Sequence, residues 1–99
     1  MNFGCPQSCA RRGGYGAFLD DAQAAELVKA VAGASALPAT AKIRCRATDG
    51  GEGLRADVAR TVAFARRLEA AGASLIAVHG RHCPPPASVR AGIRQKNED

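Results

Sequence analysis

Two stretches of this chain repeat their apolar residues at helical spacing, and two others carry the short apolar patterns of strands. In the first helical stretch Ala24, Leu27, Val28 and Val31 recur at i, i+3, i+4 and i+7, the spacing that lines one face of a 3.6-residue turn. Asp20 and Asp21 stand just ahead of it as capping oxygens for the unpaired N–H groups of a first turn. Gly33 is placed to end it, because glycine takes the left-handed backbone that other residues resist. In the second stretch Leu54, Val58, Val62, Ala65 and Leu68 form an apolar stripe, with Gly72 as the cap. Between the two helices Leu37-Pro38 is a connection, and Ala39 to Arg46 reads as a short strand that turns Ile43 to a core. Lys42, Arg44 and Arg46 share one parity of that strand, so their side either meets solvent or lines an anion site. Asp49-Gly50-Gly51-Glu52-Gly53 is a flexible loop. Leu75-Ile76-Ala77-Val78, bounded by Gly72 and Gly80, suits a buried parallel strand.

Residues 2 to 19 break any regular period with Gly4, Pro6, Gly13, Gly14 and Gly16, and read as loop. The order is then loop, helix, strand, helix, strand, the α/β pattern of a parallel sheet. Counting Met1 to Phe3 as the last piece of a preceding strand gives two β-α crossovers. Past Arg81 the pattern stops: Pro84-Pro85-Pro86 halts any element, and Ala87 to Asp99 is polar with no apolar stripe. Residues 82–99 are therefore expected to form a divergent, disordered tail.

Ninety-nine residues make one small domain at most. With 46% hydrophobic and 23% charged residues and no apolar run near the roughly twenty that cross a bilayer, the chain reads as soluble, without a membrane span. Met1 leads into turn-forming residues rather than a secretory signal, so an intracellular, cytoplasmic setting is expected. The net charge of +5 comes mainly from arginine and suits a phosphate-rich partner such as RNA without demonstrating one. Four aromatic residues are too few for a nucleic-acid stacking platform on one face. Cys5, Cys9, Cys45 and Cys83 are irregularly spaced and read as reduced thiols rather than two disulfides. Neither Cys5-x3-Cys9 nor the run His79, His82, Cys83 has the paired knuckles of a zinc site, so no metal is expected.

The residues with chemical potential stand at equivalent points of the pattern. Asn2 and Cys5 follow the first strand, Lys42 and Arg44 lie on the second, and His79 and Arg81 end the third. In parallel α/β folds the carboxyl ends of the strands form one face, where ligands bind, so these residues can converge on one pocket. Each also has a plainer reading: Cys5 a packed thiol in a turn, Lys42 a solvated lysine, His79 a satisfied core histidine. Cys9, Cys45 and Cys83 are read as packing residues. Arg11 and Arg12 either touch phosphate or are solvated. Gly13-Gly14-x-Gly16 lacks the strand-then-helix setting of a dinucleotide fingerprint.

Three ordered motifs favour the chemical readings. Asn2-Phe3-Gly4-Cys5-Pro6-Gln7 leads to Arg12-Gly13-Gly14-Tyr15-Gly16-Ala17-Phe18-Leu19, followed by Lys42-Ile43-Arg44 and then Ala70-Ala71-Gly72-Ala73-Ser74-Leu75-Ile76-Ala77-Val78-His79-Gly80-Arg81. Over residues 1–81 the chain resembles the tRNA-dihydrouridine synthases, and its first motif is most similar to the eukaryotic branch that acts on positions 16 and 17 of the tRNA D-loop. The resemblance implies an α/β fold that is a partial TIM (β/α)8 barrel of about three βα units with parallel strands. It implies an FMN-dependent oxidoreductase, recharged by NADPH or NADH, that reduces uridine to 5,6-dihydrouridine in tRNA. Cys5 matches the family's proton donor, Lys42 its flavin-contacting lysine, His79 the histidine that hydrogen-bonds the cofactor, and Asn2 the asparagine that places flavin and flipped uridine. Arg11 and Arg12 are then candidates for tRNA contact. A thiol suits proton donation: with an ordinary pKa of about 8.5 it is mostly protonated near neutrality, yet acidic enough to release the proton.

The chain also departs from that family. A barrel needs about 250 residues, and the family's A-P-M flavin motif, N-G strand, G-R phosphate loop and helical RNA-binding domain have no counterpart here. His82-Cys83-Pro84 stands where the family continues with a polar loop. The expectation is a partial chain, from an altered splice, a frame change or an incomplete gene model, and inactive by itself. Two alternatives stand beside it: another FMN-dependent TIM-barrel oxidoreductase of the dihydroorotate dehydrogenase kind, and a noncatalytic basic tRNA-binding module. The sequence leaves the oligomeric state open.

Overall fold

The structure, a computed structural model, describes residues 1–49 and 54–83. In chain order these form β1 (Asn2–Phe3), α1 (Ser8–Gly13), a 3-10 turn (Gly16–Phe18), α2 (Asp21–Ala34), β2 (Ala39–Cys45), β3 (Ala47–Asp49), β4 (Leu54–Ala56), α3 (Val58–Ala71) and β5 (Ala73–His82). The main sheet has the order β1-β2-β5, with both pairings parallel. Parallel neighbours must be joined by crossovers, and α2 and α3 are those crossovers. The β-α-β-α-β order expected from the periodicity is therefore present.

Alternation on β2 decides which face is covered. Ala39, Ala41 and Ile43 are buried while Thr40 and Lys42 are exposed, so the two faces of the sheet differ. Phe3 is in register with Ile43, and Ile43 with Val78. Ala24 and Val28 of α2 and Phe64 and Leu68 of α3 pack on that side with Phe3, Ala41 and Ile43 as one core. Both helices thus lie on one face, and among the described residues no helix covers the face of Asn2 and Lys42.

The helix starts follow from short polar side chains. Asp20 caps α2 by accepting the Gln23 N–H at 2.8 Å while Gln23 Oε1 accepts the Asp20 N–H at 3.2 Å, a reciprocal capping box. Asp57 caps α3 through the Arg60 N–H at 3.0 Å. Gly72 ends α3 at φ +121, where a side chain would also meet the Ala32 Cβ at 2.8 Å.

Several expectations change. Residues 2–19 are not all loop, since they hold β1, α1 and the 3-10 turn; the helix and turn are too short to show a period. Gly33 does not end α2, which runs through Ala34 to an extended Ser35. Leu27 and Val31 remain exposed, and Ala24 and Val28 alone of that stripe are buried. On α3 the buried side is Thr61, Phe64 and Leu68 rather than Val58 and Val62. Arg46 does not share the fate of Lys42: it follows the end of β2, pairs with Asp21 at 2.7 Å and lies 3.8 Å over the Phe64 ring. Asp49 belongs to an antiparallel β3-β4 pair, and the rest of that predicted loop, residues 50–53, lies outside the described residues. β5 is longer than predicted and its apolar run is not buried, with Leu75 60% and Val78 52% exposed; among the described residues it is the edge of the sheet. Of the predicted tail, His82 ends β5 and residues 84–99 lie outside the described residues.

Candidate active site

The uncovered face gathers polar side chains by register alone. Asn2 pairs with Lys42 across β1 and β2, and Arg44 pairs with His79 across β2 and β5. The Gly4-Cys5-Pro6-Gln7 turn leaves the carboxyl end of β1 beside them. A cleft of about 330 Å³ is lined by this turn together with Asn2, Lys42, Arg44 and His79. A cysteine and two cations at parallel strand ends make an arrangement suited to an electron-rich, planar or anionic ligand.

Local hydrogen bonds fix the cysteine turn from both sides. Asn2 Oδ1 accepts the Gly4 N–H at 2.8 Å, an Asx turn that closes the end of β1. The Gly4 carbonyl accepts from Arg44 Nε at 2.7 Å, while Arg44 Nη1 donates to the His82 carbonyl at 3.2 Å. The Cys5 carbonyl accepts the Ala17 N–H at 3.0 Å. Arg44 thereby joins the ends of β1 and β5 through its own strand. Its pKa is lowered, first by burial and then by the neighbouring Arg81 guanidinium.

The remaining thiols have different surroundings. Cys83 is half-buried, and burial pushes its pKa up against the opposing pull of Arg44 and Arg46. Cys9 is exposed and donates to Gln7 Oε1 at 3.6 Å. The Tyr15 phenol has its pKa raised chiefly by its hydrogen bond with Cys9. Cys45 Sγ donates to the His79 carbonyl at 3.7 Å. None of the four cysteines is in a disulfide. Among the described residues no group of three or more His, Cys, Asp or Glu is placed to hold a metal ion, and no helix is long and apolar enough to cross a membrane.

Of the residues singled out from the sequence, Asn2, Cys5, Lys42 and His79 line one cleft. Arg11 and Arg12 do not line it; they sit exposed in the last turn of α1. Arg44, placed by the sequence among the residues converging on a pocket, lines the cleft too; its bonds to the Gly4 and His82 carbonyls and the position of Gly16 against Cys5 are what only the fold reveals. A larger cavity of about 430 Å³ lies between the 3-10 turn and α2, lined by Leu19, Ala22, Gln23, Glu26 and Leu27. It holds neither a cysteine nor a cation, so the chemistry belongs to the smaller cleft.

Comparison with known proteins identifies the family of the chain. A family model described as dihydrouridine synthase matches residues 1–99. A rat protein named tRNA-dihydrouridine(16/17) synthase NAD(P)(+)-like is 36% identical over 83 residues, covering 82% of this chain and 17% of that protein. Its mouse counterpart is also 36% identical, with 16% of its length covered. A Schizosaccharomyces pombe protein named tRNA-dihydrouridine(16/17) synthase NAD(P)(+) is 35% identical over 83 residues, 82% of this chain and 18% of that protein. The chain spans less than a fifth of the length of these relatives.

Proposed function

The chain belongs to the dihydrouridine synthase family, and on that premise we propose that it forms part of an enzyme that reduces uridine to 5,6-dihydrouridine in the tRNA D-loop. Its parallel strands and crossover helices are about three βα units of the family's (β/α)8 barrel. The observation that carries the reading is the cleft itself, which Cys5 lines together with Asn2 of β1, Lys42 of β2 and His79 of β5, three parallel strands.

The residues present fit the ring end of FMN. Lys42 is exposed on the uncovered face, where its ammonium would balance negative charge at the pyrimidine edge of the ring. His79 is half-buried beside it and offers a hydrogen bond. When bound, the flavin supplies hydride to C6 of the uracil and is recharged by NADPH or NADH. Cys5 donates the proton to C5, on the opposite side of the base. Asn2 has its Oδ1 committed to the Gly4 N–H, so its NH2 group is the donor for the ring or the extruded base. Arg11 and Arg12 are exposed at the end of α1, which supports reading them as contacts to the phosphates of a tRNA partner. We extend the reading to the cytoplasm as its setting and to residues 1–81 as the barrel segment.

The test transplants the segment. Residues 1–83 replace the matching part of the S. pombe relative, and tRNA dihydrouridine is measured by mass spectrometry in a strain lacking that enzyme. The chimera is expected to restore the modification, and Cys5→Ala in it to lower the rate by about 10²-fold or more. Full activity of Cys5→Ala would sink the assignment of the proton donor.

A further inference from the structure

We propose that Gly16 is a positioning residue for the Cys5 thiol, a role that rests on the reading of Cys5 as proton donor. Gly16 lies eleven residues further along the chain, yet it forms the back wall of the cysteine. A Cβ at position 16 would stand 2.7 Å from the Cys5 carbonyl oxygen, 2.9 Å from the Cys5 Cβ and 3.4 Å from the Ala10 Cβ. All three neighbours are backbone or a first side-chain carbon, which cannot rotate aside. The next residue holds the same group, since the Ala17 N–H donates to the Cys5 carbonyl at 3.0 Å.

The chain reaches this point by a local device. Gly14, at φ +69, ends α1 and returns its N–H to the Arg11 carbonyl. The Tyr15 N–H then bonds the Ala10 carbonyl at 3.0 Å, and Gly16, at φ +63, lays the 3-10 turn against Cys5. From the front, Asn2 and Arg44 hold the N–H and carbonyl of Gly4. Cys5 is thus pinned between β1 and the 3-10 turn, and only a residue without a side chain leaves it where the cleft needs it. Proton donation to one carbon of a held base depends on such placement, because misplacement by about 1 Å costs on the order of 10²-fold in rate.

The two left-handed glycines supply an internal comparison. A Cβ at Gly14 would meet nothing within 4 Å, so Gly14→Ala imposes the backbone strain of a positive φ without touching Cys5. Gly16→Ala imposes the strain and the collision. Ala17→Pro removes the hydrogen bond to the Cys5 carbonyl and adds no atom at position 16.

The experiment uses the 99-residue chain and each variant, alkylated with iodoacetamide from pH 6 to 10, with fragment-ion mass spectrometry resolving Cys5 from Cys9 and Cys45. In Gly16→Ala and Ala17→Pro the Cys5 rate is expected to change by about threefold or more and its pH midpoint to move, while Cys45 keeps its rate. In Gly14→Ala the Cys5 profile is expected to match the parent. A Cys5 profile equal to that of Gly14→Ala in both other variants overturns the proposal. So does opening of Cys45 in step with Cys5 in both, which would mean that Gly16 and Ala17 serve the fold alone; where only one variant unfolds, the other decides. Alkylation reads geometry and the tRNA assay reads chemistry. An active Cys5→Ala chimera would remove the premise and the role with it, whereas an unchanged Cys5 profile removes the cradle and leaves the proposed reaction standing.

Discussion

Arg44 shows how a single side chain can hold together the site that it lines. Its guanidinium donates to the carbonyls of Gly4 and His82, so one residue of the central strand ties down both flanking strand ends. Arg44→Leu removes both donors and leaves a partly buried Gly4 carbonyl without them, at a cost of about 1–3 kcal/mol. Arg44→Lys cannot span the two carbonyls with one ammonium and should fall between. Urea unfolding checks the order; a leucine variant as stable as the parent would show that the strut carries no load. The sequence made Asn2, Cys5, Lys42 and His79 legible because each stands on or just after a predicted strand inside a recognisable motif. Arg44 was legible as a cation beside the same pocket, but its task of joining the strand ends was not. Its partners are backbone carbonyls far away in sequence, and no periodicity announces them.

At the level of elements, α3 shows why spacing alone can choose the wrong face. Leu54 belongs to β4 and not to the helix, and Val58 and Val62 are four residues apart, a step that overshoots a full turn by about 40°, so a series with that spacing walks around the helix. The face that packs is set by Phe64 and Leu68, both buried, with Phe64 also lying under the Arg46 guanidinium. Thr61 joins them despite its hydroxyl, because that hydroxyl donates to the Asp57 carbonyl at 2.7 Å and accepts the Arg46 N–H at 2.9 Å. Phe64→Ala is expected to cost about 3–5 kcal/mol, enough to unfold so small a core, whereas Val62→Ala should be nearly silent. Circular dichroism melts of the two variants separate these faces, and equal losses would contradict the packing.

The start of the same helix has a pH dependence of known sign. The Thr48 hydroxyl, first, and the Arg60 N–H, second, hold the Asp57 carboxyl below the usual carboxylate range. A carboxyl whose pKa is lower in the folded chain adds stability above its unfolded pKa of about 3.9 and loses it as the pH falls through the folded value. The β3-α3 junction should therefore loosen only in acid. Thr48→Val deletes the larger cause, so the gap between the melting temperatures at pH 7 and pH 3 should narrow. An unchanged gap would assign the acid sensitivity to another carboxylate.

On the scale of the whole molecule, the order of elements was legible and the burial was not, for a reason that lies in the sheet. Leu75-Ile76-Ala77-Val78 has the apolar character of a strand covered on both faces and paired on both sides. Among the described residues β5 pairs with β2 alone, Leu75 and Val78 are exposed, and one row of its backbone groups has no neighbouring strand. A (β/α)8 barrel supplies that neighbour and closes over the inner face; three strands do not. An apolar strand edge left open is a template for another copy, so the 99-residue chain should associate as its concentration rises. The Leu75→Lys, Val78→Lys double variant should suppress that association in sedimentation velocity runs, since cations on an edge oppose pairing. The same open face leaves Lys42 and His79 with one wall of a pocket, so stoichiometric retention of added FMN through gel filtration is not expected from the chain alone. In the chimera with the S. pombe relative the signs reverse: FMN is retained, and the two lysines, now facing neighbouring strands, should abolish folding or activity. A double variant that stays active in the chimera would show that β5 keeps an open edge there, and a parent chain that remains monomeric at high concentration would show that its edge is protected by residues of its own.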